Sequence, residues 1–486
     1  MKTARSLPAA ILTGAVLAWI WVIGRLVVDR HNSFATFDFD LGIHDQSLWL
    51  LSQGKWFNTV CGLPVFGHHA MFMYWLLVPF VWLGGGPNLW NLIQVAALAL
   101  GAVPVYLIAR HRLRSDALAC MLGLSWLLLP TVSFLAWETW HPETLAIPFL
   151  MMGYHYATTR PEGFGTDVRR RNVIAFVWLL AAMLWKEDIA LAVMGIAILL
   201  IAKKRWKFGC ALLGFAVVYF LIVGVWMVPT LAGDTSAYGM LYGELGKTPF
   251  DVAKNSIKDP SLFFDRLSNN NFKGYIGRLS SPLGFVPFLA PLTILMGVPM
   301  IFVNILTTAD FTWAMMYHYQ AVPVTAMMLA AIEGAGFLRQ RSKVIGACAV
   351  ALTLLSSCIA ADAWSLLPFG EQYRKGYWPH GEQVVDGWKA ALDRVGPTDA
   401  VSAHYAFVPH ASQREIIYTF PNPWVRTNFL GDPSLLESPS KIKWLVIPDN
   451  TLGGAAKTVL EQLLASGEYG DAQTVSGVTT YRRLKP

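Results

Sequence analysis

The stretch FDFDLGIHDQSLWLLSQGKWFNTVCGLPVFGHHAMFMY, residues 37–74, gathers acidic, histidine and tryptophan side chains in a chain that is otherwise rich in apolar residues. It follows the first long apolar run, residues 7–28, so Asp38, Asp40 and Asp45 must lie at the edge of a membrane rather than inside it. Polar groups at such a boundary are candidates for function. We expect the rest of the chain to form a frame that places this loop against a lipid-borne substrate.

The composition is that of a polytopic membrane protein. Of the 486 residues, 55% are hydrophobic and 14% are charged, which is too little charge for soluble domains. Several apolar runs are long enough to cross a bilayer as helices, notably residues 7–28, 88–109, 117–136 and 208–229. The first of them is too long for the core of a signal peptide and is predicted to remain as an anchor.

The net charge of +7 does not indicate a nucleic-acid partner. Lysine and arginine occur in short clusters between apolar runs, and such clusters mark cytoplasmic loops. The clusters are residues 110–114, 169–171, 203–207 and 339–343. Four of the five cysteines fall in apolar segments and only Cys61 lies in a polar loop, so a disulfide framework is not expected.

Charge alternation predicts the topology. Lys2 and Arg5 place the N-terminus in the cytoplasm, and residues 29–70 then form an external loop. Residues 71–83 are too short to span and are predicted to form an amphipathic helix in the outer interface, with Tyr74, Trp75 and Trp82 at headgroup level. Residues 230–281 are predicted to form a second long external loop.

The composition changes to that of a soluble domain after Asp362. Helices are predicted at residues 384–395 and 455–465, and strands at 400–404, 415–420, 444–448 and 478–484. The predicted fold is therefore an all-α polytopic membrane domain of about 10–12 transmembrane helices, residues 1–361, with interfacial helices on its external face. A small extracytoplasmic α/β domain, residues 362–486, follows it.

The first external loop resembles that of GT-C glycosyltransferases. The likeness rests on Asp40, on Gly54 after a short amphipathic helix, and on two short motifs, Gly62-Leu63-Pro64 and Tyr74-Trp75-Leu76. GT-C enzymes are integral membrane proteins that move a sugar from a polyprenyl phosphate to an acceptor. The aminoarabinose and protein-mannosyl transferases are relatives. The resemblance implies the same fold and the same class of reaction.

A closer likeness, over most of the chain, is to an uncharacterised family of bacterial membrane proteins placed near the GT-C enzymes. It is carried by Phe39-Asp40-Leu41-Gly42-Ile43, Gly67-His68-His69, Trp185-Lys186-Glu187-Asp188 and His318-Tyr319. The chain has His68-His69-Ala70-Met71 where aminoarabinose transferases have Glu-Lys-Pro-Pro. Their external acidic residue after the third span is matched loosely by Glu138 or Glu143. This family has no assigned substrate.

Transfer from a polyprenyl phosphate needs a base for the acceptor hydroxyl and positive groups for the departing phosphate. Asp40 is the predicted base, and the alternative is a carboxylate in a solvated turn or helix cap. His68 is predicted to bind a divalent metal ion together with Asp40, and the alternative is that the histidine pair only anchors the loop at the interface.

Further polar residues reach the same outer face and are predicted to bind the donor phosphate or the substrate. Lys186 is suited to pair with a lipid phosphate, or else forms a salt bridge with Glu187 or Asp188. The full predicted set is His69, Lys186, His141, Glu143, His318 and Tyr319.

The sequence therefore predicts a glycosyltransferase of the bacterial plasma (inner) membrane, with its active site and C-terminal domain outside. The expected partners are a polyprenyl-phosphate sugar donor, membrane lipid, and an envelope glycan, lipid or protein acceptor. Two alternatives stay open. One is a transporter or flippase for lipid or polysaccharide, and the other is a non-catalytic scaffold for envelope assembly.

Overall fold

The computed structural model describes residues 7–159, 168–233, 239–379 and 384–484. Several predictions fall partly outside these ranges. Lys2 and Arg5 orient the predicted topology and lie outside the described residues. The same holds for 160–167 beside the basic cluster and 234–238 of the second external loop. In the C-terminal domain it holds for 380–383 and 485–486.

The first half of the chain alternates long apolar helices with short connecting elements. Its α-helices are α1 Leu7–Asn32, α2 Ile43–Ser52, α3 Val65–His68, α4 Val78–Trp82, α5 Pro87–Leu100, α6 Ala102–Leu113, α7 Asp116–Leu128, α8 Pro130–Trp137, α9 Pro142–Thr158, α10 Val168–Met183, α11 Ile189–Ala202 and α12 Trp206–Tyr219. The connections contain a π-helical turn Asp38–Gly42, a 3-10 helix Phe72–Leu76 and the two-stranded hairpin of β1 Phe57–Asn58 and β2 Leu63–Pro64.

The second half of the membrane part contains shorter helices before two long ones. Its α-helices are α13 Val228–Leu231, α14 Pro249–Lys258, α15 Pro260–Asn269, α16 Phe272–Ser280, α17 Pro291–Ile294, α18 Val298–Ile305, α19 Ala321–Arg341 and α20 Lys343–Trp364. A π-helical segment Phe220–Met227 continues α12, and 3-10 turns lie at Gly239–Leu245, Ser281–Leu283, Val286–Leu289, Asp310–Thr312 and His318–Gln320.

Among the described residues, five helical stretches are long and apolar enough to cross a membrane. They are Leu7–Asn32, Pro87–Leu113, Trp206–Leu231, His318–Arg341 and Lys343–Trp364. A sixth candidate is the pair α7 and α8, which meet at an angle of 46°. The predicted span at residues 117–136 corresponds to this bent pair, which is broken at Leu129 because Pro130 lacks the N–H that would continue the helix. The predicted 10–12 crossings stay a prediction.

A buried ion pair joins three helices at the end of the bundle that carries the basic clusters. The Arg112 guanidinium on α6 donates to both carboxylate oxygens of Glu333 on α19, at 2.8–3.0 Å. The Tyr154 hydroxyl on α9 donates to the same carboxylate at 2.9 Å. Because breaking such a buried pair leaves an uncompensated charge, it holds α6, α9 and α19 together at this end.

Two predicted segments have a different local structure. Residues 71–83 form the 3-10 helix Phe72–Leu76 followed by α4, rather than one amphipathic helix. Trp75 and Trp82 are exposed, whereas Tyr74 is fully buried inside the protein, and their place at headgroup level stays a prediction. The described part of residues 230–281 is largely helical, because α14, α15 and α16 begin at capping residues Thr248, Asp259 and Asn271.

The C-terminal domain is built on a mixed five-stranded sheet. Its elements are α21 Glu371–Arg374, α22 Val384–Asp393, β3 Val401–Ala403, α23 Val408–Ala411, β4 Ile417–Thr419, β5 Trp444–Pro448, α24 Gly454–Ala465, β6 Tyr469–Val475 and β7 Val478–Arg483, with 3-10 turns at Pro433–Leu435 and Pro439–Lys441. The strand order is β4-β3-β5-β7-β6. Strands β3, β4 and β5 are parallel, and β7 is antiparallel to β5 and β6. The predicted small α/β domain is present, and β6 is an additional strand.

The C-terminal domain packs directly on the first loop. The Asp45 carboxylate accepts hydrogen bonds from Trp90 Nε1 at 2.7 Å, Ser412 Oγ at 2.6 Å and Gln413 Nε2 at 3.1 Å. Asp45 is therefore a buried junction rather than a solvated turn residue. The Leu430 N–H also donates to the Cys61 carbonyl at 2.8 Å. These contacts place the sheet beside the loop that contains Asp40.

Candidate active site

Five connecting segments meet at the end of the bundle that carries the C-terminal domain. They are the turn Asp38–Gly42, residues 68–70 before Phe72–Leu76, the α8–α9 connection, the α10–α11 connection and the turn His318–Gln320. Each of them supplies at least one of the residues predicted from the sequence. The structure brings these side chains into one polar cluster.

Asp40 lies at the exposed edge of this cluster. It belongs to a π-helical turn that leads directly into α2, a geometry that is frequent at functional sites. Its Oδ1 atom lies 3.2 Å from Nε2 of His141. The Asp40 side chain is 34% exposed, whereas that of His141 is 3% exposed. The carboxylate is therefore accessible to a substrate while its partner is held inside the protein.

His141 is fixed by groups at both ring nitrogens. Nδ1 lies 3.2 Å from the Thr139 carbonyl oxygen, which can only accept, so Nδ1 carries a proton. Nε2 faces the Asp40 carboxylate, with Glu138 Oε1 at 4.0 Å. Burial lowers the pKa of His141, but Glu138 and Asp40 outweigh burial and raise it to about 10. The imidazole is therefore positively charged at neutral pH and forms an ion pair with Asp40.

Glu138 and His318 form a second pair beside the first. His318 Nδ1 lies 2.8 Å from Glu138 Oε1. The His318 and His141 rings are stacked, with centroids 3.9 Å apart and planes inclined by 17°. The Tyr319 ring lies 4.0 Å from that of His318. The second oxygen, Glu138 Oε2, is buried and has no hydrogen-bond partner within the described ranges.

Lys186 is buried between a carboxylate of the first turn of α9 and one of its own α10–α11 connection. Its Nζ atom lies 2.9 Å from Glu143 Oε1 and 3.4 Å from Asp188 Oδ2. Glu143 also approaches His318 Nε2 at 3.7 Å. The salt-bridge alternative for Lys186 therefore holds for Asp188, and Glu143 is a partner that the sequence did not indicate.

His69 contacts the carboxylate of Glu187, the residue that follows Lys186 in the α10–α11 connection. Its Nδ1 lies 2.7 Å from Glu187 Oε1, and the Ala70 N–H donates to Glu187 Oε2 at 2.9 Å. Burial raises the pKa of Glu187, but His69 and Lys186 outweigh burial and lower it to about 2. Glu187 is thus ionised at neutral pH and fixes the backbone at residues 69–70.

Three further residues of the cluster were not among the site residues predicted from the sequence. The Trp140 indole N–H donates to the Tyr74 hydroxyl at 2.7 Å, and that hydroxyl lies 2.8 Å from Nδ1 of His44. Burial, with His68 and His141 nearby, lowers the pKa of His44 well below its ordinary value, so His44 is neutral and accepts from Tyr74. The polar run Ile43-His44-Asp45 in the first loop was the available signal.

A possible metal-ligand set differs from the predicted one. Within the described ranges, Glu138, His141 and His318 each offer a ligand atom, and these atoms all lie within 4.8 Å of one another. His68 is not part of this group. Its ring lies 5.7 Å from that of His44 and 4.6 Å from that of His69. The spacing Glu138-x-x-His141, which carboxylate-rich metal sites in helical bundles also use, was a signal for this set.

Comparison with solved structures identifies the fold. The structure of ArnT from Cupriavidus metallidurans bound to undecaprenyl phosphate is similar at 13% identity and a TM-score of 0.57, covering 96% of this chain and 97% of that one. The apo structure of the same protein is similar at 12% identity and a TM-score of 0.56, covering 97% and 98%. The GT-C-like fold predicted from the sequence is confirmed. No protein of curated function matches the chain.

The predicted relationship to a family of bacterial membrane proteins is confirmed by sequence. A match covers residues 30–452, which include every residue of the polar cluster and most of the C-terminal domain. The chain therefore belongs to the family described as "Predicted membrane protein (DUF2079)".

Proposed function

We propose that this chain is a membrane glycosyltransferase of the GT-C type, which transfers a sugar from a polyprenyl-phosphate donor to an acceptor of the cell envelope. The observation that carries the proposal is the pairing of an accessible Asp40 with a buried, protonated His141 at 3.2 Å. The similar ArnT structure holds undecaprenyl phosphate, and this supports a polyprenyl-phosphate donor. Because fold likeness is a limited warrant for activity, the site carries the argument.

In the proposed reaction Asp40 acts as the general base. It accepts the proton of the acceptor hydroxyl as the hydroxyl oxygen attacks the anomeric carbon of the donor. The bond between that carbon and the phosphate oxygen breaks, and polyprenyl phosphate leaves with the electron pair. A single displacement of this kind inverts the anomeric centre. His141 positions the Asp40 carboxylate for this step.

The departing phosphate requires positive charge and hydrogen-bond donors. Lys186 is the proposed cationic partner, supported by its place in the cluster beside the carboxylates of Glu143 and Asp188. The other proposed contacts to the donor come from His69, His141, Glu143, His318 and Tyr319. Glu143 contributes by orienting Lys186, since a carboxylate repels the phosphate itself.

The proposed location is the bacterial plasma membrane, with the cluster and the C-terminal domain outside and the N-terminus in the cytoplasm. Gln94, which accepts from the His141 N–H, and Arg112 of the basic end lie on the same helical stretch Pro87–Leu113. At a rise of 1.5 Å per residue they are roughly 27 Å apart, close to the thickness of a hydrocarbon core. Basic residues favour the cytoplasmic side, which supports this orientation.

The test is transfer by the purified full chain in lipid nanodiscs. Radiolabelled polyprenyl-phosphate sugars are offered with envelope glycan, lipid and protein fractions, and Asp40→Asn is compared with the wild type. Asp116→Asn is the matched control, because Asp116 pairs with Arg110 at the basic end of the bundle. We expect transfer by the wild type and the control, and a loss of about 100-fold or more in Asp40→Asn with donor binding retained.

Two results would contradict the proposal. Transfer by Asp40→Asn at the wild-type rate would exclude Asp40 as the base. An absence of transfer from every donor, together with movement of labelled lipid across the bilayer, would favour the transporter alternative. Stable capture of an envelope protein without transfer or movement of lipid would favour the scaffold.

A further inference from the structure

We propose that Glu138, His141 and His318 bind one divalent transition-metal ion of the zinc class, with Asp40 beside the open fourth position. The ion's contribution to catalysis rests on the proposed function, but its binding does not. The site differs from the Asp40 and His68 pair that the sequence predicted, because it replaces His68 with three residues that the fold brings together.

Distances within the set are suited to one ion. In a tetrahedral site with metal–ligand distances of about 2.1 Å, ligand atoms lie about 3.4 Å apart. Here His318 Nδ1 is 2.8 Å and His141 Nε2 is 4.0 Å from Glu138 Oε1. Asp40 Oδ1 is 3.2 Å from His141 Nε2. The two distances to Glu138 Oε1 therefore lie within about 1 Å of the required spacing, and the three ligand atoms all lie within 4.8 Å of one another.

Burial is a second and independent indication. Glu138 Oε2 is buried without a hydrogen-bond partner in the described part of the chain, although its side chain is only 6% exposed. Buried polar atoms in native proteins are almost always satisfied, and one without a partner requires an explanation. A cation bound through both carboxylate oxygens of Glu138 would satisfy Oε2.

Binding requires a change in the stacked rings. A metal ion lies near the plane of each imidazole that binds it, whereas the His141 and His318 planes are nearly parallel at 3.9 Å. One ring must therefore rotate about its Cβ–Cγ bond when the ion enters, and the stacking is lost. In the ion-free arrangement, the hydrogen bond to Glu138 and the ion pair with Asp40 take the place of the metal bonds.

The chemical type of the ligand atoms selects the class of metal. Magnesium and calcium prefer sites made of oxygen ligands, whereas imidazole nitrogen favours zinc, cobalt, iron and related ions. Two imidazoles and one carboxylate therefore match a transition-metal ion rather than magnesium. Since the neighbouring Asp40 is the most exposed residue of the cluster edge, a phosphate oxygen of a sugar donor could approach the open position of the ion from its side.

The test is metal binding by the purified full chain after chelator treatment. Cobalt(II) is titrated into the protein and its visible absorption is recorded, zinc is added as a competitor, and bound metal is counted by elemental analysis. We expect one equivalent of cobalt, displaced by zinc and not by a large excess of magnesium. Affinity should fall at least tenfold in Glu138→Gln and in His318→Asn. His404→Asn, at the end of β3 outside the cluster, is the matched control.

The proposal is overturned if the wild type binds no cobalt, if magnesium displaces it, or if Glu138→Gln and His318→Asn bind as the wild type does. The outcome is separate from that of the transfer assay. Cobalt binding at these residues without sugar transfer would keep the metal site and reject the glycosyltransferase. Transfer that persists in the metal-free protein would keep the glycosyltransferase and reject a contribution of the ion to catalysis.

Discussion

Lys186 illustrates how strongly a buried charge depends on its partners. Its side chain is 7% exposed and lies between Glu143 and Asp188. Lys186→Met would leave these carboxylates without their cation, and breaking such a buried pair costs about 3 to 5 kcal/mol. We expect a large decrease in the apparent melting temperature of the detergent-solubilised protein. The measurement is size-exclusion chromatography after heating.

The control for this prediction is the double variant Lys186→Met/Glu143→Gln. It removes one of the two unpaired carboxylates together with the lysine, so it should recover part of the lost stability. If the single and double variants melt at the same temperature, the pair with Glu143 does not contribute to stability as we expect.

At the scale of elements, the contact between the β1–β2 hairpin and the C-terminal domain depends on the absence of a side chain at Gly62. Gly62 has φ +78, and a Cβ atom there would lie 2.2 Å from the Phe429 ring. Gly62→Ala therefore combines backbone strain of about 1 to 2 kcal/mol with a steric clash against the docked domain. We expect faster proteolysis of the C-terminal domain, measured as the rate at which trypsin releases it.

Gly54→Ala is the matched control for the backbone term. Gly54 also has a positive φ, +67, but no atom lies within 4 Å of an added Cβ. This variant should show the strain without the clash and so a smaller increase in proteolysis. Equal rates in the two variants would show that contact with Phe429 does not hold the domain in place.

At the scale of the whole molecule, Asp45 links the first loop, α5 and the C-terminal domain. Burial raises its pKa from 3.8 to about 6, although hydrogen bonds from Ser412, Trp90 and Gln413 oppose this effect. Because the folded-state pKa lies above the unfolded one, the protonated form is favoured by folding. The contribution of Asp45 to the free energy of unfolding is therefore greatest below about pH 4. About 3 kcal/mol of it is lost as the pH rises through 6.

Asp45→Asn should remove this dependence, since its amide oxygen can accept from Trp90 and its NH₂ group can donate to Ser412. The measurement is the melting temperature of both proteins from pH 4 to pH 8, because the difference between them isolates Asp45 from other titrating groups. We expect the melting temperature of Asp45→Asn to rise relative to that of the wild type as the pH increases. A difference that is constant across this range would exclude the raised pKa of Asp45 as a determinant of stability.

The sequence by itself determined the features that depend on composition and on local motifs. Long apolar runs and basic clusters predicted a helical membrane protein, since a bilayer requires about 20 apolar residues for each helical crossing. The alternation of residues 400–484 predicted most strands of the C-terminal sheet. Motifs around Asp40, His68-His69 and His318-Tyr319 indicated the GT-C likeness and most of the candidate site.

Only the tertiary structure decided which of these residues face one another. Asp40 contacts His141 rather than His68, Lys186 pairs with Glu143, and Tyr74 is buried against Trp140. These partners are separated by up to about 100 residues along the chain, and no local pattern encodes such a contact. They meet because packed helices and the docked C-terminal domain fix the ends of five connections at one place.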